Sequence, residues 1–488
     1  MKNSIAAISF ALFLISCSSS RDLIERAVEA SERFAPRFEN SALAIDSLLA
    51  DSAFANAFVG IQVVAIDAGE VLYERNAQKL FLPSSNIKLF TTVGALAILG
   101  PKYELKTIVY GDSILRDGTI EGQIYLKGYG DPLLTVNDLD SLARKLYSLG
   151  IRQIHGGIVG DDFYFDREFW GSGWMWDDDP GSDFPYLSAI SVNRNTIRVT
   201  ILAGNQDGDS IQVLLSPPTS YVKVLSKGIT SSDTTQSPLR VTRRWREREN
   251  TIVVEGTIRP LAPSMNVDLN VWKPELYALT LFRDRLRANG ISLPDSIRID
   301  STKANRALVE ISHQLDSVVT IINKESYNLG AENLLKVMAS ATGKPPGSAE
   351  IGIRLMKNYL AAHGVDTSAL VLVDGSGVSR YNLSPPEAIV QLLVDVAKDS
   401  AIFQPLYRSL SIAGVDGKLR TRLTKGLASN NARAKTGTHS NASALSGYVR
   451  NINGEMLAFS IMMNHFLGSQ LPYRNLQDRI VEILARCN

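Results

Sequence analysis

The sequence predicts an α/β (α+β) protein whose helix-and-sheet body is interrupted by a long β-rich block. Three observations predict it. A buried strand, a turn and a return strand at 60–75 read as a hairpin and lead into a helix that starts near Ser84, runs to Leu99 and is apolar on nearly every side. Between about 102 and 305 the texture changes to short strands and turns. After Leu308 helices return, and the chain ends β, β, α. At 488 residues, 45% of them hydrophobic, the chain can bury a large core spread over several domains. A formal net charge of +1 gives no basic surface for nucleic acid. The cysteines, Cys17 and Cys487, form no disulfide framework or zinc site, and the five histidines lack metal-ligand spacing. No metal or cofactor is expected.

Residues 1–17 read as an export signal: Lys2 supplies charge, and the apolar run 5–15 is too short to span a bilayer. It ends in Leu14-Ile15-Ser16-Cys17, which resembles the lipobox of bacterial lipoproteins and implies lipidation of Cys17. Residues 18–40 would then be a polar tether and an amphipathic helix at 21–34. A helix at 42–49, a strand at 60–66, a turn at 67–70 and a return strand at 71–75 follow. Pro83-Ser84-Ser85 opens the apolar helix, and Gly100-Pro101 ends it. Inside the β-rich block, strands are expected at 108–111, 122–126, 196–201 and 251–256, with a helix at 139–149. The aromatic and acidic stretch 169–179 reads as an irregular loop, and 231–237 as a surface loop. Beyond it lie helices at 331–341, 351–363 and 385–399, a glycine-punctuated loop at 374–380, strands at 432–438, 445–450 and 456–463, and a closing helix at 476–487.

Ser85 and Lys88 are three apart, on one face of a helix that starts near Ser84. A hydroxyl and an amine together at the mouth of a buried helix suggest an activated serine. A serine is a poor nucleophile until a base takes its proton, and Lys88 can be that base only when neutral. The pattern alone is weak, because Ser220 and Lys223 match it too, though no long apolar helix follows them. Ser326-x-Asn328 is weaker still, matched by Ser191/Asn193 and Ser429/Asn431, whereas Lys435-Thr436-Gly437 occurs once. The order of the three carries the weight. Ser-x-x-Lys opening a helix, Ser-x-Asn between helices and Lys-Thr-Gly entering a strand is the motif set of penicillin-binding proteins and serine β-lactamases, which the chain resembles.

Longer stretches narrow the resemblance. Residues 324–333, the loop 374–380 and Gly128-Tyr129-Gly130-Asp131-Pro132 are similar to the S13 family, the D-alanyl-D-alanine carboxypeptidases/endopeptidases related to penicillin-binding protein 4. Ser85 lies 326 − 85 = 241 residues before Ser326, a long gap in which that family carries inserted domains. The resemblance implies a penicillin-binding transpeptidase/β-lactamase-like domain, an antiparallel sheet flanked by helices, split over 41–101 and 306–488. Residues 102–305 would form two inserted β-rich subdomains.

It also implies a serine D,D-carboxypeptidase that removes the terminal D-alanine from peptidoglycan stem pentapeptides, with D,D-endopeptidase action on cross-links and covalent binding of β-lactams. Ser85 would be the nucleophile, Lys88 its base and Ser326 a proton relay. Asn328 would hold Lys88 and a substrate amide. Lys435, Thr436, Gly437 and Thr438 would line the site of the terminal carboxylate, and the N–H groups of Ser85 and Thr438 would form the oxyanion hole. Arg380, with Asp166 from the insertion, would recognise the diaminopimelate side chain. Two departures stand out: 167–173 is longer than the usual connection, and Tyr327 replaces the common Asp. The implied location is the bacterial cell envelope, lipid-anchored and facing the periplasm. A β-lactamase or esterase on the same fold is the rival enzyme. A non-catalytic peptidoglycan-binding lipoprotein is the other rival, and it would not need all five motif side chains.

Overall fold

Seven antiparallel strands form the sheet on which the site is built, in a computed structural model that describes residues 32–233 and 237–488. In chain order they are β1 (Glu32–Phe34), β2 (Phe58–Ala65), β3 (Glu70–Arg75), β4 (Ser411–Ile412), β5 (Arg433–His439), β6 (Ala442–Arg450) and β7 (Met456–Asn464). Their spatial order is β1-β3-β2-β7-β6-β5-β4. The last hairpin therefore inserts beside the first, and the two ends of the chain share one sheet. Side chains alternate between faces along each strand. Tyr448 and Met462 enter one core, while Val449, Ile461 and Met463 enter the other, so both faces are covered.

Helices α1 (Glu39–Leu49) and α2 (Ile87–Leu99) come before the insertion. After it come α3 (Leu315–Glu325), α4 (Asn328–Thr342), α5 (Ala349–Ala362), α6 (Pro386–Val396), α7 (Ser400–Ser409) and α8 (Leu471–Arg486). α1 and α8 cover one face, and α2 to α7 pack on the other. α2 is their hub: every residue from Ile87 to Leu96 is buried, Lys88 included. The polar groups this buries are satisfied locally, Thr92 Oγ1 donating to the Lys88 carbonyl at 2.7 Å and Thr91 Oγ1 to the Gly375 carbonyl at 2.7 Å.

The insertion is built around a five-stranded mixed sheet that includes Glu104–Gly111 and Ile124–Gly128, packed with the helices Val136–Ser148 and Pro274–Ala288. Two three-stranded sheets are nested between residues 196 and 270. Three differences from expectation have physical causes. The stretch expected to be helical up to 34 ends in β1, because residues 32–34 pair with 73–75 at the sheet edge, and tertiary pairing overrides local propensity. Strand Arg306–Gln314 pairs with Glu104–Gly111, so the insertion's sheet closes after 306 and the helices that follow it begin at Leu315. Pro274–Ala288 was not expected as a helix; it buries Tyr277, Ala278, Leu281 and Phe282 in the insertion's core. The export signal, Cys17 and most of the tether lie outside the described residues. Among the described residues, no helix is long and apolar enough to cross a membrane.

Candidate active site

Ser85 sits in a single tight turn, Ser84–Asn86, that runs directly into α2. Ser84 adopts φ +50°, a left-handed conformation that costs energy outside glycine and holds Ser85 toward the cleft. Two glycines press against this turn. A β-carbon at Gly377 would lie 1.9 Å from the Ser84 carbonyl oxygen, and one at Gly437 would lie 2.6 Å from the Pro83 carbonyl oxygen. Only glycine lets the 374–380 loop and β5 approach so closely.

Lys88 lies one turn further on, fully buried. Its Nζ is 2.9 Å from Ser85 Oγ, 2.7 Å from Asn328 Oδ1 and 2.5 Å from the Ser376 carbonyl oxygen. The last two groups only accept hydrogen bonds. A neutral amine has two N–H donors and one lone pair, so this surrounding fits it: the donors go to the two oxygens and the lone pair faces the Ser85 hydroxyl. Burial brings the Lys88 pKa down from 10.5 to about 7, against the opposing charges of Asp374, Glu332 and Asp183 and with help from the Lys418 ammonium.

Ser326 ends α3 as a left-handed cap at φ +63°, and Asn328 begins α4 two residues later. The second motif therefore occupies a sharp interhelix corner. Lys435 on β5 is fully buried; its Nζ lies 2.9 Å from Ser326 Oγ and donates to the Thr436 carbonyl at 2.8 Å. Burial, then the Lys88 and Lys418 charges, push its pKa well below the ordinary lysine value. Beyond Ala434 the outer edge of β5 has no strand partner among the described residues, so its backbone faces the cleft.

The loop 374–380 is held from below by two buried carboxylates. Asp374 accepts from the N–H groups of Gly377 and Ser379 at 2.8 and 2.6 Å, and from the Trp174 indole at 3.1 Å. Glu332 on α4 accepts from Gly375 and Ser376 at 3.1 and 2.8 Å. Burial, then the neighbouring Asp374 charge, raise the Glu332 pKa.

Ser85, Ser326, Asn328, Thr436 and Thr438 line one cleft of about 410 Å³. Lys88 and Lys435 lie directly behind it, and Gly437 packs against the turn that carries Ser85. Arg380 is exposed beside the cleft, its guanidinium donating to the Ser440 carbonyl at 3.4 Å. Asp166 is elsewhere: its carboxylate pairs with the buried Lys336 on α4. An acid of the insertion that feels both Arg380 and His439 is Asp178, in the aromatic and acidic loop 169–179. Several groups have no signature in the motifs. The Ser376 carbonyl and the Asp183 carbonyl, which accepts from Asn328 Nδ2 at 2.7 Å, are backbone groups that residue type cannot reveal. Lys418 and Arg474, which also line the cleft, stand in stretches with no pattern of their own.

Comparison with known proteins adds to this geometry. A D-alanyl-D-alanine carboxypeptidase of Actinomadura sp. (strain R39) is 33% identical over 443 residues, covering 87% of this chain and 81% of that protein. The crystal structure of penicillin binding protein 4 from Haemophilus influenzae superposes with a TM-score of 0.80 at 23% identity, covering 91% of this chain and 99% of that one. The same Haemophilus protein complexed with a novel β-lactam gives a TM-score of 0.77 at 22% identity, with the same shares covered. These structures share the fold. Residues 41–487 match the family model described as the D-Ala-D-Ala carboxypeptidase 3 (S13) family, and with that span matched the chain belongs to this family.

Proposed function

We propose that the protein is a serine D,D-carboxypeptidase that releases the terminal D-alanine of peptidoglycan stem peptides through an acyl-enzyme on Ser85. The observation that carries the reading is the surrounding of Lys88: two acceptors and one hydroxyl around a buried amine whose pKa is about 7. At neutral pH about half of such an amine is unprotonated and can take the Ser85 proton as the oxygen attacks the peptide carbonyl. The N–H groups of Ser85 and Thr438 would receive the oxyanion, each donor commonly worth about 3 kcal/mol. The proton then passes from Lys88 through Ser326, beside Lys435, to the departing amine. Water hydrolyses the ester, with Lys88 again as base.

A second activity is supported by a separate observation. A cavity of about 670 Å³ shares Asp183, Ser326, Asn328 and Lys418 with the cleft, and so leaves room for a leaving group larger than alanine. D,D-endopeptidase action on peptide cross-links fits that space. β-Lactams, which acylate the same type of serine, are expected to bind covalently. Arg380, exposed at the rim, is suited to an anionic group on the stem-peptide side chain. The protein would work in the bacterial envelope, tethered through lipidated Cys17; Cys17→Ser should release it from the membrane fraction.

Incubation with a fluorescent penicillin tests the mechanism. The parent protein should take up one label per chain and Ser85→Ala none. Label retained in Ser85→Ala would sink the mechanism. No label and no D-alanine release by the parent would favour a peptidoglycan-docking role. Rapid turnover of the penicillin would favour a β-lactamase.

A further inference from the structure

We propose that Arg474, in the first turn of α8, supplies the positive charge that holds the terminal carboxylate of the substrate against Thr436 and Thr438. The inference rests on the carboxypeptidase reading and assigns a residue that the sequence motifs do not contain.

An enzyme that removes a C-terminal residue must tell a free carboxylate from the interior of a chain, and a fixed cation is the direct means. The lysine of the third motif is poorly placed to be that cation. Lys435 is fully buried, engaged with Ser326 Oγ and the Thr436 carbonyl, and next to a second buried amine.

Three other cations line the cleft: Lys418, Arg422 and Arg474. Arg422 is already neutralised, because Nη2 lies 2.7 Å and Nε 3.1 Å from Asp478 Oδ1, and Nη2 also reaches Gln477. Lys418 is exposed and held by no carboxylate among the described residues. Arg474 is different in kind. Its Nη2 donates to Gln470 Oε1 at 2.9 Å and to Thr438 Oγ1 at 3.3 Å, which fixes the guanidinium at the motif strand. It makes no ion pair among the described residues. Asp478 is taken by Arg422, and Glu325, a carboxylate on the cleft, pairs with Arg194.

Burial and the nearby Arg422 charge lower the Arg474 pKa, against the opposing Asp478 carboxylate, which is itself engaged by Arg422. Thr436 and Thr438 are two apart on β5, so both side chains lie on the same face of the strand, where Arg474 meets Thr438. A carboxylate there would accept from two hydroxyls and from a planar guanidinium fork, the geometry for which arginine is better suited than lysine.

The test uses two peptides ending in D-alanyl-D-alanine, one with a free C-terminal carboxylate and one with a C-terminal amide. The parent protein should cleave the free acid with the higher kcat/KM. Arg474→Gln should lower kcat/KM for the free acid by about 30- to 100-fold, mostly through KM, and change the amide by less than about threefold. Arg474→Lys should restore part of the preference. An acid-to-amide ratio unchanged in Arg474→Gln overturns the proposal. So does an equal fall for both peptides, the signature of a displaced Thr438 rather than a lost charge. A ratio that collapses in Lys418→Gln while surviving Arg474→Gln assigns the role to the other cation. A parent protein that cleaves neither peptide and takes no penicillin defeats the carboxypeptidase reading itself, an outcome separate from the other three.

Discussion

At the scale of single residues the proposed reaction turns on which protons two buried lysines keep. Lys88 has its pKa lowered to about 7 by burial, so its amine fraction falls tenfold for each pH unit below that value. Acylation of Ser85 by a penicillin should therefore rise with pH along a limb of apparent pKa about 7 and then level off. Stopped-flow rates from pH 5 to 10 check this. A rate still climbing between pH 8 and 10 would mean that Lys88 keeps an ordinary lysine value and is not the base. The same shift links to stability. Between about 7 and 10.5 the unfolded chain binds more protons at Lys88 than the folded one, so this group's contribution rises with pH across that window. The five motif side chains were legible because their chemistry is written in residue types at fixed spacings. What completes the amine's surroundings was not. The Ser376 carbonyl that takes one of its hydrogen bonds is a backbone group, which residue type does not reveal.

At the scale of elements, Ser85 is held by close packing between segments distant in sequence. Gly377 has φ +76°, and a β-carbon there would meet the Ser84 carbonyl at 1.9 Å, a contact relieved only by moving the turn that carries Ser85. Gly377→Ala should thus cost about 1–2 kcal/mol for the left-handed backbone alone. The clash adds to that and should slow penicillin acylation by at least about tenfold. Labelling rate and melting temperature measured together check it; parent-like values for both would show that the 374–380 loop has slack. Periodicity located most of the helices and strands around the site, because they are long and their apolar spacing is regular. It failed where a partner decides. Residues 32–34 become a strand through pairing with 73–75. The helix Pro274–Ala288 was hidden in a stretch whose surroundings read as strands, although Pro274 stands in its first turn, where proline favours a helix start.

At the scale of the molecule, the insertion acts as a buttress to the site as well as an ornament of the chain. Tyr327, between the two residues of the second motif, donates to the Pro132 carbonyl at 2.8 Å, and Arg194 stacks 4.7 Å over its ring. Asn328 reaches the Asp183 carbonyl, and Trp174 reaches Asp374 at the start of the 374–380 loop. Each contact ties the insertion to a segment that positions Lys88 or Ser85. Asp166 belongs to this set. It pairs with Lys336, which is buried on α4, the helix that Asn328 begins. Removing one partner of a buried pair commonly costs about 3–5 kcal/mol, because the remaining charge is left without compensation. Asp166 keeps 23% of its side chain exposed, and Lys336 retains the Glu168 carbonyl, so the lower end of that range applies. Asp166→Asn should lower the melting temperature by several degrees while keeping the parent's relative kcat/KM for stem peptides with diaminopimelate and with lysine at the third position. An unchanged melting temperature with selective loss of the diaminopimelate peptide would instead give Asp166 the recognition role that the resemblance implies. The two outcomes separate a strut from a subsite because they fall on different observables: one on the fold that holds α4, the other on a single substrate group.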